Sequence, residues 1–345
     1  MSFLLRLSRT VSGNVDRFVI FLLLTVAVAT LLPARGSVLT GAGHASTAAV
    51  CLLFFLHGAK LSPRDILDGA RQWRLHGLVF ATTFVVFPVL GLACRGLVPG
   101  VLTHQLWIGV VFLAALPSTV QSSIAFTAIA RGNVAAALCS ASVSNLLGVV
   151  LTPVLLALLI GSSAGISGHS VLSICAELLA PFALGQLARP RLRAVLQRHA
   201  SATGIVDRGS VLLVVYVAFS AGVDQGVWHR LPAGRLVVLA LVCCLLLALV
   251  LGITWWAGGR LGFPRADKIV AMFCGSKKSL VSGLPMATVL FPRATVAIVI
   301  VPLIVFHMIQ LITCAVLARR LATAAERADT EAATALAGLA ETPTP

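Results

Sequence analysis

Long apolar runs, separated by short segments rich in Gly, Pro and charged residues, cover most of the chain. An apolar run of about 20 residues is long enough to cross a bilayer as an α-helix. The pattern predicts ten spanning helices, with approximate limits 18–34, 44–60, 75–98, 104–130, 134–160, 170–188, 208–225, 234–258, 266–290 and 294–318. Pro88 and Gly91 predict a kink in the third helix. The chain is therefore predicted to be an all-α polytopic membrane protein.

Composition excludes the other broad classes of protein. Of the 345 residues, 59% are hydrophobic and only 11% are charged, far from the balance of a soluble domain. This excludes a soluble enzyme, a secreted disulfide scaffold and a disordered chain. The eight cysteines all lie in apolar runs without CxxC spacing, so they are interpreted as buried hydrophobic residues rather than disulfides or metal ligands.

The positive charges predict the orientation in the membrane. When the N-terminus is placed inside, 19 of the 26 Lys and Arg residues fall in inner loops and five in outer loops. This bias predicts cytoplasmic N- and C-termini. The net charge of +15 is not interpreted as nucleic-acid binding, because no basic patch with interleaved aromatic residues occurs.

Ten helices divide into two sets of five, and an odd number per set inserts the second set upside down. The predicted organisation is a cytoplasmic amphipathic segment (1–17), a first five-helix repeat (18–160), a second, inverted repeat (161–318) and a cytoplasmic tail (319–345) that is expected to be disordered.

The fourth run is polar and interrupted. It contains LPSTVQSSIAFTAIARGN (116–133), in which Pro117 removes a helical hydrogen-bond donor. Freed backbone groups must line protein or water rather than lipid. A simple proline kink satisfied by neighbouring hydroxyl groups is the alternative. The candidate binding residues here are Ser118, Thr119, Gln121, Ser122 and Ser123.

The ninth run is the stronger candidate. It contains FCGSKKSLVSGLPMA (273–287), with two of the four lysines of the chain side by side. A charge at the centre of a bilayer costs about 2.5–3.5 kcal/mol on insertion scales, so such a residue faces a cavity or a partner. The alternative is a loop between two short hairpin helices. The candidates are Ser276, Lys277, Lys278 and Ser279; whether one or both lysines face the site stays open.

Three further polar residues lie inside predicted helices. Ser142 and Asn145 share one face of the fifth, where packing of small residues is the alternative role. Glu177 in the sixth is the one acidic residue clearly within a span, and is predicted to pair with a lysine or to bind a proton or cation.

Two interrupted helices in corresponding positions of two repeats predict a binding site at the membrane midplane. The N-termini of half-helices and the two ammonium groups favour an anion. The predicted partners are a small organic anion and the lipid bilayer. No enzyme motif, resident cofactor or metal site is predicted; a coupling ion, sodium or a proton, is the remaining expectation.

Three stretches resemble the bile acid:sodium symporter superfamily, and within it the branch of bacterial SBF-like transporters and vertebrate solute carrier family 10 "member 7" proteins. They are FFLHGAKLS (54–62), residues 116–148 and residues 273–287. The resemblance implies a secondary transporter in a bacterial inner (cytoplasmic) membrane that moves its substrate by alternating access. It also implies a panel of helices packed against a core domain, in which the fourth and ninth broken helices cross.

The resemblance also implies where sodium ligands would lie, and this sequence departs from that pattern. Ser123 matches a serine ligand, but the other positions fall on Ile124, Ala137, Ala141, Phe273 and Lys277. Sodium coupling is therefore in doubt. The hypothesis is that a lysine ammonium takes the structural role of a bound sodium ion, which has the same charge.

Two other functions are compatible with the sequence. Vertebrate members of the branch are associated with calcium regulation, so a membrane regulatory protein affecting ion (calcium) homeostasis without substrate transport is one alternative. A channel is another, although no ring of like residues indicates a pore. The two polar, interrupted helices favour a carrier. The substrate and the oligomeric state stay open.

Overall fold

A computed structural model of the chain describes residues 17–60, 72–164, 168–224, 226 and 232–340. Within these ranges, the side chains at 17, 19, 162–164, 168–177, 233, 293–294 and 332–340 are outside the description. Every regular element in the described ranges is a helix, and none is a strand. The predicted amphipathic segment 1–17 lies outside these ranges except for Arg17.

The first half of the chain contains seven α-helices. They are α1 (Arg17–Leu31), α2 (Gly36–Lys60), α3 (Trp73–Ala81), α4 (Phe87–Ala93), α5 (His104–Ala115), α6 (Gln121–Ile129) and α7 (Val134–Ala164). A π-helical turn, Thr82–Val86, joins α3 to α4, and a 3₁₀ turn, Cys94–Leu97, follows α4. The irregularity predicted for the third run is therefore present, but it precedes Pro88 as a π-helical turn.

The second half also contains seven α-helices. They are α8 (Gly168–Arg198), α9 (Ala200–Asp224), α10 (Ala233–Arg260), α11 (Arg265–Ser276), α12 (Leu280–Leu290), α13 (Arg293–Val299) and α14 (Val301–Ala340). Each of the ten predicted runs overlaps one of these helices or a consecutive pair. The fourth run comprises α5 and α6, and the ninth comprises α11 and α12.

Six described helical segments are long and apolar enough to cross a membrane. They are Gly36–Lys60, Trp73–Leu97, Val134–Gly161, Ala200–Asp224, Gly234–Arg260 and Thr295–Glu331. The halves of the two interrupted runs have only 12, 9, 12 and 11 residues, too short for one half to cross alone. Large apolar side chains such as Leu31, Leu158 and Leu187 are exposed on the outside, whereas Lys277 and Lys278 are fully buried. This polarity identifies an integral membrane protein.

The predicted tail is the main difference from the sequence analysis. The last helix continues to Ala340, so most of the segment 319–345 that was expected to be disordered is helical. The alanine-rich composition favours a helix. Arg131 also contacts the extension, with ion pairs of 3.3 Å to Glu326 and 2.8 Å to Asp329.

Candidate functional site

The two helix interruptions lie against each other. The first runs from Leu116 to Val120 between α5 and α6, and the second comprises Lys277–Ser279 between α11 and α12. The backbone N–H of Ser279 donates a hydrogen bond of 2.9 Å to the carbonyl of Pro117. Helix α7 packs closely beside them, because a Cβ atom at Gly148 would lie 2.6 Å from the Pro117 ring.

The sequence explains each interruption locally. Pro117 cannot donate to the carbonyl of Leu113, so the N–H of Leu116 bonds that carbonyl instead, at 3.3 Å, and α5 ends. The second interruption contains no proline. There Lys277 is extended, with φ −100° and ψ 148°, and Ser279 restarts the helix as an N-cap whose side chain accepts from the N–H of Ser282 at 3.2 Å.

Asn145 on α7 connects the two interruptions. Its Nδ2 donates to the carbonyl of Ser118 at 2.7 Å and to that of Ala141 at 3.1 Å. Its Oδ1 accepts from Ser282 Oγ at 2.7 Å, and Ser282 in turn accepts from Ser279 Oγ at 3.0 Å. Asn145 therefore ties α7 to both interrupted helices through polar contacts.

Lys278 is held by three backbone carbonyls. Its Nζ donates to Thr83 at 2.8 Å, Ala114 at 2.7 Å and Leu116 at 2.8 Å. The Phe87 ring covers the ammonium group, with its centroid 4.3 Å from Nζ. The side chain is 0% exposed. All three protons of the ammonium group therefore have acceptors. We call the three carbonyls of Thr83, Ala114 and Leu116 the carbonyl cage.

Two of the three cage carbonyls, those of Thr83 and Ala114, lack a helical hydrogen-bond donor next to a proline. In the π-helical turn the N–H of Phe87 bonds to Thr82, so the next π-type donor, to Thr83, would be Pro88, which has no N–H. At the end of α5, the N–H of Ser118 would bond to Ala114 in a continuous helix. It donates instead to Ser144 Oγ at 3.0 Å.

Gln310 on α14 fixes the backbone of Lys278. Its Oε1 accepts from the N–H of Lys278 and its Nε2 donates to the carbonyl, both at 2.9 Å. Nε2 also lies 2.9 Å from His307 Nδ1. The side chain of Gln310 thus takes the place of a backbone partner in the second interruption.

Lys277 has a very different environment although it is also 0% exposed. Its one hydrogen bond in the described structure is a long one, 3.4 Å to Ser122 Oγ. The Phe126 and Phe273 rings lie 4.3 and 5.6 Å from Nζ. Among the described side chains, neither lysine pairs with a carboxylate. Lys277 therefore keeps hydrogen-bonding capacity that Lys278 has used.

Hydroxyl groups at the start of α6 lie next to Lys277. Thr119 Oγ1 is 2.8 Å from Ser122 Oγ and 2.9 Å from Ser123 Oγ. Ser123 Oγ donates to the carbonyl of Phe273 at 3.3 Å, which links α6 to α11. These contacts bring the polar residues of the fourth and ninth runs together.

A cavity of about 690 Å³ lies against this junction. The first turns of both α6 and α12 contribute to its polar floor, together with Ser142 and Asn145 of α7. Apolar side chains, among them Phe54, Phe182 and Met286, form its walls. A polar floor and apolar walls are typical of a site for a small organic molecule.

The mouth of the cavity carries mainly positive charge. Lys60 Nζ pairs with Asp207 Oδ2 at 2.6 Å, and Asp207 Oδ1 has no partner among the described residues. Arg208 and Arg319 line the cavity as well. An anion entering the cavity would meet three cationic side chains and one carboxylate.

The predicted residues divide into three groups. Those that line the cavity are Thr119, Gln121, Ser122, Ser142, Asn145 and Ser279. Those buried at the junction behind it are Ser118, Ser123, Ser276, Lys277 and Lys278. The side chain of Glu177, on α8, lies outside the description, so its predicted role stays a prediction.

Sequence reasoning missed two parts of this site. The carbonyl cage consists of main-chain atoms, so no side chain marks it; only Pro88 and Pro117 hint at free carbonyls. Of the residues at the mouth, Lys60, Arg208 and Arg319 were counted only as inner-loop cations, and Asp207 was not singled out. Their position at the ends of apolar runs was the available signal.

Positions that would hold sodium in the resembling symporters offer few ligands here. Ala137, Ala141 and Phe273 are 0% exposed and present no side-chain oxygen. Lys277 occupies another of these positions with a cationic group. The side chains at these positions therefore do not fit the sodium site that the resemblance implies.

The fold and the site together define a class of protein. Apolar helices of membrane-spanning length and two interrupted helices that meet beside a cavity are characteristic of membrane transporters. The chain belongs to the SBF-like CPA transporter family, which matches residues 16–323. This confirms the resemblance drawn from the sequence.

Curated relatives agree with the family. A protein of Pseudomonas aeruginosa named PA2026 is 50% identical over 324 residues, 93% of this chain and 96% of the relative. The candidate symporter YfeH of Escherichia coli is 46% identical, covering 88% and 92%. The sodium/bile acid cotransporter 7 of Danio rerio is 28% identical, covering 87% and 91%. Family and relatives indicate a transporter of the bile acid:sodium symporter type.

Proposed function

We propose that this protein is a secondary active transporter that carries a small organic anion across the membrane by alternating access. The cavity beside the two interruptions is the substrate site. One observation carries this proposal: the first turns of two half-helices, α6 and α12, form part of the floor of a cavity that has a cationic mouth. Helix N-termini attract anions, and the mouth raises their local concentration.

The substrate contacts follow from the lining of the cavity. Gln121, Ser122, Ser142 and Asn145 offer amide and hydroxyl donors, and apolar walls accept the rest of an amphipathic molecule. Lys277 acts from behind through Ser122, whose Oγ is 3.4 Å from its ammonium group. This arrangement supports a substrate with one anionic end and an apolar body.

The proposed architecture is ten membrane helices in two inverted repeats of five, with a panel and a core domain. The matching positions of the two helix pairs, α5 with α6 and α11 with α12, support it. In this arrangement the core contains both interruptions, and movement of the panel against it exposes the cavity to alternate sides.

The test is a binding and transport screen of organic anions. Purified protein is heated with a panel of carboxylates, sulfonates and phosphates, and compounds that raise the melting temperature are then assayed for uptake into proteoliposomes. Saturable uptake of a stabilising anion supports the proposal. Stabilisation without uptake supports the regulatory alternative, and uptake at channel-like rates contradicts alternating access.

Arg319→Gln and Arg320→Gln form a matched pair of variants for the screen. Arg319 lines the cavity, whereas its exposed neighbour Arg320 does not. Removing the Arg319 charge is expected to cost about 1 kcal/mol of binding free energy, about fivefold in Kd, because the site is partly open to solvent. Equal effects of both variants would contradict an anion site at this mouth.

A further inference from the structure

The carbonyl cage has the chemistry of a cation site. Three carbonyl oxygens, from the π-helical turn and the end of α5, surround Lys278 Nζ at distances of 2.7–2.8 Å. Main-chain carbonyls are oxygen ligands of the kind that bare metal cations require. Two of the three carbonyls also lie at the C-terminal end of α5, where the helix dipole is negative.

The geometry at this point matches a charged amine. An ammonium group has three N–H donors and matches three acceptors, whereas a neutral amine has two and would set its lone pair against the third carbonyl. The Phe87 ring closes the remaining side with its negative face. The described groups around Nζ include no carboxylate, so the carbonyls supply the compensation for the charge.

We propose that the Lys278 ammonium group is a built-in replacement for a bound monovalent cation, and that it holds the two interrupted helices together without sodium. The charge joins the interruption between α11 and α12 to the π-helical turn, α4 and the end of α5, a connection that an ion would otherwise make. A sodium ion cannot enter while Nζ occupies the cage. This inference concerns the coupling ion of the transporter proposed above, but it rests on the cage and not on the substrate.

The experiment is cation rescue of a cavity variant. Lys278→Ala empties the cage and leaves three carbonyls unpaired, so we expect a lower melting temperature in choline chloride. Replacing choline by sodium at equal ionic strength is expected to raise the melting temperature of this variant by about 3 °C or more. The wild-type protein is expected to melt at the same temperature in both salts.

Two control variants separate the cage from general salt effects. Lys278→Met fills the space without donors, so it should be destabilised and not rescued by sodium. Lys277→Ala removes the neighbouring lysine, which does not contact the cage, and should show no sodium response. Rescue of Lys278→Ala but of neither control supports the inference.

Two results would overturn it: equal melting of Lys278→Ala in sodium and choline, or sodium-specific stabilisation of the wild type. If Lys278→Ala is not recovered in choline, recovery in sodium alone counts as rescue. If it is recovered in neither salt, the melting temperatures of the wild-type protein in sodium and in choline provide the test. A higher value in sodium contradicts the inference. Because the readout is melting temperature, a failure of the organic-anion screen leaves this test unaffected, and the reverse also holds.

Discussion

Asn145 contacts both interrupted helices at the junction. It bonds to the carbonyl of Ser118 in the first interruption and to the hydroxyl of Ser282 just beyond the second. The polar contacts of Asn145 therefore hold three segments at the distances that the cavity floor requires.

Replacing Asn145 by Ala is expected to destabilise the protein. Two interhelical hydrogen bonds contribute about 0.6 kcal/mol each in a membrane protein, and the carbonyl of Ser118 loses its Asn145 donor. The expected loss is about 1–3 kcal/mol, seen as a lower melting temperature in detergent. Ser142→Ala is the control, since Ser142 lines the same cavity three residues earlier; equal melting of the two variants would contradict the role of Asn145.

The two lysines illustrate how far residues can be interpreted from sequence. Their position within an apolar run predicted that each would face a cavity or a partner. Both are 0% exposed at the junction behind the cavity, and their functional role stays a prediction. Their different roles were not predictable, because they depend on which backbone carbonyls are free nearby. Those carbonyls become free through a π-helical turn and two prolines that are distant in sequence from the lysines.

Helices α2 and α8 approach each other more closely than any other segments that meet at a described glycine. A Cβ atom at Gly58 would collide with the carbonyl of Phe182, and one at Gly185 with the carbonyl of Phe55. Small residues allow helices to approach closely where no hydrophobic effect drives association in lipid. This contact holds α2, which carries Lys60, against α8 beside the cavity.

Gly58→Ala and Gly41→Ala are expected to change stability in opposite directions although both lie on α2. At Gly58 the added methyl meets rigid backbone, and such overpacking costs about 1–3 kcal/mol. At Gly41 no atom lies within 4 Å of the added Cβ, so alanine gains about 0.5–1 kcal/mol from its helix propensity. Thermal melting measures both; a Gly58→Ala protein as stable as wild type would contradict the close approach.

Helices were largely predictable from the apolar pattern, whereas their ends were not. The run predicted at 44–60 begins at Gly36, and the last helix extends to Ala340 instead of ending near 318. In both cases local polarity suggested an end, but no proline or cap residue imposed one. Pro117, which does impose one, gave the position of the first interruption correctly.

For the whole molecule, the charges that line the cavity indicate the side of the membrane to which it opens. Lys60, Arg208 and Arg319 belong to segments that the charge bias places on the cytoplasmic side, and all three line the cavity. The described cations of the predicted outer loops, Arg35, Arg95 and Arg235, are not among its lining residues. The cavity is therefore expected to open toward the cytoplasm, with the outer side closed.

Cysteine labelling can test this orientation with two glycines that have free space around them. No atom lies within 4 Å of a Cβ built at Gly204, which lines the cavity, or at Gly100, in a predicted outer turn. Gly204→Cys should react with a membrane-impermeant maleimide only in inverted vesicles, and Gly100→Cys only in intact spheroplasts. Labelling is measured as the increase over the parent protein, whose exposed Cys51 and Cys244 lie in apolar helices.

The opposite pattern of labelling would reverse the predicted topology, because a thiol reacts only where the reagent and water reach it. Gly204 lies in the first turns of α9, at the end predicted to be cytoplasmic, so labelling of Gly204→Cys from both sides would also contradict this topology. Added substrate is expected to change the rate of Gly204→Cys labelling in inverted vesicles, since it stabilises one conformation over the other.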